Sequence, residues 1–307
     1  MKANVVEPAT PPLTDPTAWP LLLGLGCLRG LSAMPESLWP TLSRVLGSAL
    51  WHLVPKRRAI VRANLKIAFP DIASSERETL AKTCFRKLSL SLIETGKLWF
   101  GPSDFAARRV RIEGIDRLRE VNRERPVLLA TPHFHAIELV GLALSQQVPL
   151  SAFYARAKNP HFERFEVAKR LRFAASVIER HQTHKLVRTL KAGGMVWWVP
   201  DQAVAASNAA VESRFFGQRV LSSRATAWLL EKTSVCVMPV AISRDSTGTL
   251  VARIEPPLDW ASSDINATTA LDALFESLIR QQPDEYFWMH RRFKPARPGD
   301  IDPYREQ

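Results

Sequence analysis

The chain has 307 residues, 46% of them hydrophobic, so it is long enough to bury a full core. Lys and Arg number 42 against 30 Asp and Glu, and the resulting net charge of +12 favours anionic partners. No zinc-finger spacing, RNP-type aromatic motif or heptad-linked basic region accompanies this charge. The charge therefore indicates anionic lipid or an acidic protein, rather than nucleic acid, as the partner.

The cysteine pattern bears on the compartment in which the protein works, and the N-terminal residues bear on whether it associates with a membrane. Three scattered cysteines without a CxxC pair argue against a disulfide framework and a zinc site, and fit a reducing compartment. Residues 1–18 are Pro-rich and aperiodic, which predicts a flexible lead. The apolar segment 19–34 is interrupted by Arg29 and is short for a transmembrane span of about 20 residues. It also begins late for a signal peptide, so we expect membrane association, with spanning or embedding left open.

The next segment, residues 37–54, has apolar residues at helical spacing. Lys56, Arg57, Arg58 and Arg62 follow it directly. An apolar helical face beside a basic cluster is typical of a helix at an anionic membrane surface. The alternative is a helix packed on the domain, with its arginines in solvent.

Helical and strand-like patterns alternate through the rest of the chain. Ser75 and Glu78 predict a capping box for a helix running to about Phe100. The pattern then predicts an α/β domain with a mixed, mainly parallel sheet flanked by helices over residues 101–307, after a helical membrane-associating region over residues 19–100. The predicted strands are 127–131, 150–155, 176–179, 195–200, 235–243 and 250–254, and the predicted helices are 134–146, 160–171, 183–192, 222–233 and 268–281.

The sharpest local motif is PVLLATPHFHAIELV, in which a buried-looking strand ends at Thr131 and His133 opens the next helix. Ligands in α/β sheets bind at the carboxyl ends of strands. Glu138 follows five positions later, and its carboxylate at one imidazole nitrogen would leave the other nitrogen as a general base. A histidine at a helix start is often only a polar terminus, and His135 lacks a carboxylate at the same spacing. The spacing alone leaves both interpretations open.

A family resemblance adds to this motif. HFHAIE matches the His-x4-Asp/Glu motif of glycerolipid-type acyltransferases. With four further blocks, the chain resembles the lipid A biosynthesis lauroyl/myristoyl acyltransferases of Gram-negative bacteria over about residues 20–299. The four blocks are 57–71, 153–160 with 170–180, 190–202 with 214–218, and 286–299.

The resemblance implies a reaction within lipopolysaccharide biosynthesis at the cytoplasmic face of the inner membrane. An acyl chain would pass from an acyl-carrier-protein thioester to the hydroxyl of a 3-hydroxyacyl chain on a lipid A precursor. His133 would be the general base, and Glu138 would orient it. No metal or other cofactor is expected.

An oxyanion forms when a thioester is attacked, so hydrogen-bond donors must face it. Backbone N–H groups near His133 and an arginine of the second block are the candidates. The family has Arg directly after Tyr in that block, whereas this chain has Arg156 two positions after Tyr154. A shift of one residue turns a strand side chain to the opposite face unless a bulge compensates. Arg172 is the alternative.

Further substrate-binding residues are expected from the later blocks. Asp201 follows the strand 195–200, and Ala203 replaces the second acidic residue of the family's Asp-Gln-Asp. Arg291 and Arg292 are candidates for binding lipid phosphates, unless they belong to a solvated basic C-terminus. Candidates for an acyl slot, each also compatible with a place in the core, are Trp197, Trp198, Phe215, Phe216 and Trp228.

Two other functions remain open. The altered Tyr-Ala-Arg and Asp-Gln-Ala segments allow an acyltransferase of the same superfamily that acts on a lysophospholipid, an aminolipid or another hydroxylated lipid. The second is a non-catalytic membrane-binding protein with the same fold. The presence of both His133 and Glu138 speaks against it.

Overall fold

A computed structural model describes residues 18–258 and 264–305, so all but the last residue of the predicted lead lies outside the described residues. The described residues begin with four α-helices. None of the helices within the described residues combines the length and apolar character needed to cross a bilayer. The four are α1 (Trp19–Ala33), α2 (Trp39–Leu53, after a 3-10 turn at Glu36–Leu38), α3 (Pro55–Ala68) and α4 (Ser74–Phe100).

Helix α4 is the surface on which the first three helices pack. Helix α2 buries Trp39, Ser43, Gly47 and Trp51, a repeat of four residues that lines one helical face. At Gly47 the two helices are so close that an added Cβ would lie 2.8 Å from the Cα of Arg86. The small residue therefore sets the distance between α2 and α4.

The expected capping box of α4 does not form. The helix begins at Ser74, and Ala73 occupies the N-cap position without a side-chain hydrogen bond. The carboxylate of Glu78 instead accepts a hydrogen bond of 2.8 Å from Nε of Arg62, on α3. Glu78 therefore forms an interhelical ion pair with Arg62 and does not take part in the predicted N-terminal cap.

The predicted α/β fold is confirmed as a seven-stranded sheet in the order β1-β9-β8-β2-β5-β3-β4. Neighbouring strands are parallel except β8 and β9, which are antiparallel. A separate antiparallel hairpin, β6–β7, was not predicted. The strands are β1 (Val110–Glu113), β2 (Val127–Ala130), β3 (Leu150–Tyr154), β4 (Ser176–Glu179), β5 (Met195–Trp198), β6 (Ala210–Phe215), β7 (Gln218–Ser223), β8 (Cys236–Arg244) and β9 (Leu250–Ile254).

Helices flank the sheet; α5 and α6 were not predicted, and the other five match their predicted positions to within four residues. Helix α7 matters most for the site, because it begins at Ile137 and not at the predicted start near His133. The helices are α5 (Phe105–Arg109), α6 (Ile115–Glu124), α7 (Ile137–Ser145), α8 (Pro160–Arg170), α9 (Thr183–Lys191), α10 (Ala225–Thr233) and α11 (Asp264–Gln281).

The late start of α7 has a structural cause in the C-terminal segment. Phe134 forms an antiparallel bridge with Tyr286. The carbonyl of His133 accepts a hydrogen bond of 2.8 Å from the N–H of Phe287, and the N–H of His135 donates one of 2.8 Å to the carbonyl of Glu285. The backbone between β2 and α7 is therefore held extended, as if by an added short strand.

A buried ion network holds this C-terminal segment in place. Arg244 at the end of β8 donates to both carboxylate oxygens of Glu94 at 2.8 and 2.6 Å, and to Glu285 at 3.0 Å. Lys87 of α4 also donates to Glu285, at 2.8 Å. Both acids are fully buried. The network thus links α4, the sheet and the segment that pairs with His133.

Replacing Arg244, the cation at the centre of this network, should destabilise the folded protein. We expect Arg244→Met to lower the free energy of unfolding by about 3 kcal/mol, because two buried carboxylates each lose one cationic partner, which leaves Glu94 with Arg109 and Glu285 with Lys87. Chemical denaturation measures the loss. The matched control is Arg253→Met, on β9, which removes an exposed arginine paired with Glu255 and should cost less than about 1 kcal/mol. Equal losses in the two variants would contradict the role of the buried network.

Candidate active site

Two neighbouring strands carry His133 and Asp201 to the same edge of the sheet. Strands β2 and β5 are adjacent and parallel, and Ala130 is paired with Trp198 at their carboxyl ends. His133 and Asp201 each lie three residues beyond these paired positions. Because the register is parallel, the two side chains meet above the strand ends, where α/β proteins bind ligands.

The imidazole and the carboxylate are in direct contact. Nδ1 of His133 contacts Oδ1 of Asp201, and the backbone N–H of His133 donates to Oδ2 at 3.0 Å. The hydroxyl of Tyr286 also donates to Oδ2, at 2.8 Å. Asp201 and Tyr286 are fully buried, whereas His133 is partly exposed. A proton on Nδ1, facing the carboxylate, leaves Nε2 with a free lone pair.

The electrostatics of this group favour an ionised Asp201. Burial opposes its charge, but His133 and its hydrogen bonds outweigh burial and hold the pKa of the carboxyl well below its usual value. Burial, followed by the charge of Asp201, raises the pKa of Tyr286, so its hydroxyl stays protonated as a donor. Burial also lowers the pKa of His290, whose ring centroid is 6.5 Å from that of His133, to about 4. The neighbour of His133 is therefore neutral at pH 7.

Glu138 does not make the contact with His133 that the sequence motif suggests. Its carboxylate accepts hydrogen bonds from Nε and Nη2 of Arg170, at 3.0 and 2.9 Å. Arg170 also donates to Glu166 at 2.8 Å. The reason is the extended backbone before α7: the residues from His133 to Glu138 do not form the irregular helical turn that would bring the two side chains together. Asp201 occupies the position at the imidazole that was expected for Glu138.

The expected oxyanion donors near His133 are also engaged elsewhere. The N–H of His133 bonds to Asp201, that of Phe134 to the carbonyl of Pro132 at 2.7 Å, and that of His135 to the carbonyl of Glu285. These three backbone groups therefore already have acceptors within the protein.

The two arginines predicted from the second block lie outside the cavity that His133 lines. Arg156 follows the end of β3, is about half exposed, and lies 3.7 Å from a carboxylate oxygen of Glu163. Arg172 donates to the carbonyl of Trp99 at 3.2 Å, near the end of α4. Two arginines of this block line the cavity, exposed Arg180 and largely buried Arg170. Nη1 of Arg170 has no hydrogen-bond partner within the described residues. Sequence reasoning missed it, although Glu166 stands one helical turn earlier.

A cavity of about 980 Å³ opens beside His133. Glu138 and Arg170 form part of its polar wall. Its volume is at the upper end of the range for small-molecule pockets, about 300–1,000 Å³. No group of three or more His, Cys, Asp and Glu side chains within the described residues is arranged to hold a metal ion. Apolar side chains that line the cavity include Leu142, Leu150, Phe153, Trp197 and Trp198.

Trp197 is packed tightly at the cavity wall. An added Cβ at Gly141 of α7 would lie 3.0 Å from its Nε1. The other candidates for an acyl slot do not line the cavity: Phe215 and Phe216 are buried in the core, and Trp228 packs against that core. Trp197 and Trp198 are therefore the two aromatic candidates that face this space.

The C-terminal arginines have different environments. Arg292 is buried, and its Nη2 donates to Asp272 of α11 at 3.0 Å and to Ser222 of β7 at 2.8 Å. It therefore joins α11 to the hairpin, and burial removes it as a phosphate-binding residue. Arg291 is exposed and lies 5.4 Å from the ring centroid of Tyr304.

Residues 8–295 match the family described as bacterial lipid A biosynthesis acyltransferase. The lipid A biosynthesis lauroyltransferase of Escherichia coli (strain K12) is 28% identical over 295 residues, covering 94% of this chain and 95% of the relative. The lipid A biosynthesis palmitoleoyltransferase of the same organism is 28% identical over 293 residues, with the same coverage. Its lipid A biosynthesis myristoyltransferase is 22% identical over 298 residues, covering 95% of this chain and 92% of the relative. The chain therefore belongs to the bacterial lipid A biosynthesis acyltransferase family and is an acyltransferase of lipid A biosynthesis.

Proposed function

We propose that the protein transfers a fatty acyl chain from acyl-carrier protein to a hydroxyl of a lipid A precursor, with His133 as the general base. The observation that carries this proposal is the chain of contacts from Tyr286 through Asp201 to Nδ1 of His133, at the edge of a large cavity. This arrangement fixes the imidazole tautomer with its basic nitrogen away from the carboxylate.

The reaction needs only proton transfer and charge stabilisation from the protein. Nε2 of His133 removes the proton of the attacking hydroxyl, and the hydroxyl oxygen bonds to the thioester carbonyl carbon. The resulting oxyanion collapses, the carbon–sulfur bond breaks, and the imidazolium returns its proton to the departing thiolate. Asp201 stabilises the imidazolium, and Tyr286 keeps the carboxylate in position.

Arg170 is our candidate for the charge that faces the oxyanion. It lines the same cavity as His133, and Nη1 is free of partners among the described residues while Nε and Nη2 are bound to acids. A positioned cationic donor in a water-poor site stabilises developing negative charge strongly. Glu138 then serves the reaction by fixing the guanidinium of Arg170 rather than by orienting His133.

Charge and surface chemistry support the proposed substrates and location. The net charge of +12 suits an acidic carrier protein and a phosphorylated glycolipid. Exposed Arg291 is the remaining C-terminal candidate for binding a lipid phosphate. The N-terminal helices expose large apolar side chains, such as Trp19 (60%) and Leu23 (71%), which suit attachment to the cytoplasmic face of the inner membrane. The apolar wall of the cavity would hold the acyl chain.

Acyl transfer from labelled acyl-carrier protein to a lipid A precursor in detergent tests the reaction directly. We expect transfer by the wild-type protein and a loss of roughly 10²–10⁴-fold in His133→Ala, because the general base is removed. Tyr286→Phe should lose about ten-fold, since one hydrogen bond to a charged acceptor disappears. Circular dichroism and thermal unfolding serve as folding controls for both variants.

Each negative result has a defined meaning. Transfer that survives in folded His133→Ala would contradict the proposed base. No transfer to the lipid A precursor, together with transfer to a lysophospholipid or an aminolipid, would assign the same chemistry to another acceptor. Vesicle binding by an intact protein without transfer to any acceptor would favour a non-catalytic role.

The pH dependence of kcat/KM separates the roles of the two carboxylates. In Asp201→Asn, the acidic limb of the profile should move to lower pH, because the imidazole loses a neighbouring negative charge, and the plateau should fall by at least about 100-fold. In Glu138→Gln, the plateau should fall while the acidic limb stays in place, since the change acts through Arg170. A shift of the limb in Glu138→Gln and not in Asp201→Asn would reverse the two assignments.

A further inference from the structure

A second cleft lies between α2 and α4. It has a volume of about 420 Å³, and none of the residues that line it lines the cavity beside His133. Three cations line it, Arg44 from α2 and Lys82 and Arg86 from α4, together with the polar side chains of Ser48 and His52. The backbone contact between Gly47 and Arg86 fixes the spacing of its two walls.

Within the described residues, no hydrogen bond or ion pair joins these three cations to a carboxylate, although the charge of Lys82 acts on nearby Glu78. Arg44 donates only to the carbonyl of Pro40 and the hydroxyl of Thr41, within its own helix. The ammonium of Lys82 lies 5.9 Å from the ring centroid of Trp51. Arg86, which is exposed, has no hydrogen bond or ion pair within the described part of the chain.

Elsewhere on the surface, several exposed arginines are compensated. Arg253 is paired with Glu255, and Arg297 with Glu212, both at 2.7 Å. Near the cleft, Glu78 is held by Arg62. Glu78 acts on Lys82 only through charge, without a hydrogen bond or ion pair within the described residues. Three cations around one concave space therefore create a local positive field, for which a phosphate group, with several charged oxygens, is the matching ligand.

An exposed apolar strip runs along α2 beside the cleft. The strip consists of Val45 and Leu53 on α2 and of Leu38 in the 3-10 turn before it, which are 64%, 74% and 46% exposed. Their spacing of seven and eight residues keeps them within roughly 80° of helical arc. His52, which lines the cleft, is seven residues from Val45 and therefore within about 20° of it around the helix. An apolar strip beside a cationic cleft fits the boundary of a bilayer, where phosphates lie next to acyl chains.

We propose that this cleft binds the headgroup phosphate of an anionic phospholipid of the membrane on which the protein works. The phosphate lies between Lys82 and Arg86 on one wall and Arg44 on the other, and the strip on α2 contacts the adjoining acyl chains. The bound lipid is a docking ligand and undergoes no reaction. The proposal draws on the membrane location proposed above but on no step of acyl transfer, so failure of either can be detected separately.

Binding of the full-length protein to vesicles tests the proposal without turnover. Vesicles of phosphatidylcholine alone are compared with vesicles of equal parts phosphatidylcholine and phosphatidylglycerol. The variant Lys82→Gln/Arg86→Gln should bind the anionic vesicles at least about ten-fold more weakly, because each cation at an anionic surface contributes roughly a factor of five.

The matched control is Arg123→Gln/Lys191→Gln, which removes the same charge from exposed positions at the ends of α6 and α9. It should weaken binding by less than about three-fold, since salt screens charges that are distant from the membrane. A second variant, Ser48→Gln, keeps all three cations and places a neutral side chain in the cleft. It should also weaken binding, because the phosphate loses its space.

Several outcomes would overturn the proposal. If the control variant lost as much affinity for anionic vesicles as Lys82→Gln/Arg86→Gln, binding would depend on the overall charge of the protein and not on the cleft. Unchanged binding in both cleft variants would remove the lipid site. If inorganic phosphate competed for the cleft, and anionic vesicles bound no more tightly than vesicles of phosphatidylcholine alone, the cleft would be assigned to a soluble phosphate. If the cleft variants had a raised KM for acyl-carrier protein in detergent but bound vesicles as the wild type does, the cleft would be assigned to the carrier protein.

Discussion

The candidate site depends first on the parallel register of two neighbouring strands. Strands β2 and β5 end side by side, and each is followed after three residues by a polar side chain, His133 on one and Asp201 on the other. The sheet therefore brings together two residues that are 68 positions apart in sequence. Helix packing, the ion network and the C-terminal segment act on this pair by fixing the loops that follow the strands.

The C-terminal segment fixes the positions of His133 and Asp201 beyond the ends of the two strands. Its pairing with residues 133–135 keeps the loop extended, delivers the hydroxyl of Tyr286 to Asp201, and delays the start of α7. The same delay separates Glu138 from the imidazole and leaves it to Arg170. The structure thus has two acids where the sequence motif suggested one: a buried carboxylate in contact with the imidazole, and an acid that binds an arginine at the cavity wall.

Sequence patterns were sufficient for six of the seven strands of the sheet but not for the partners within the site. Apolar runs such as residues 127–130 predicted most central strands, whereas the short charged strand β1 and the half-exposed hairpin lack such a signal. Placing Asp201 opposite His133 requires the knowledge that β2 and β5 are neighbours, which periodicity does not contain. Arg292 was misassigned because a charged residue near the C-terminus resembles a solvated one until its buried partner, Asp272, is seen.

The central claim is that Asp201, and not Glu138, sets the protonation state of the His133 imidazole. Nitrogen NMR of histidine-labelled protein, with the signal of His133 assigned by its loss in His133→Ala, measures this directly. The account predicts the tautomer with the proton on Nδ1 in the wild-type protein and in Glu138→Gln, and a changed tautomer population in Asp201→Asn. A tautomer that changes in Glu138→Gln and persists in Asp201→Asn would contradict it.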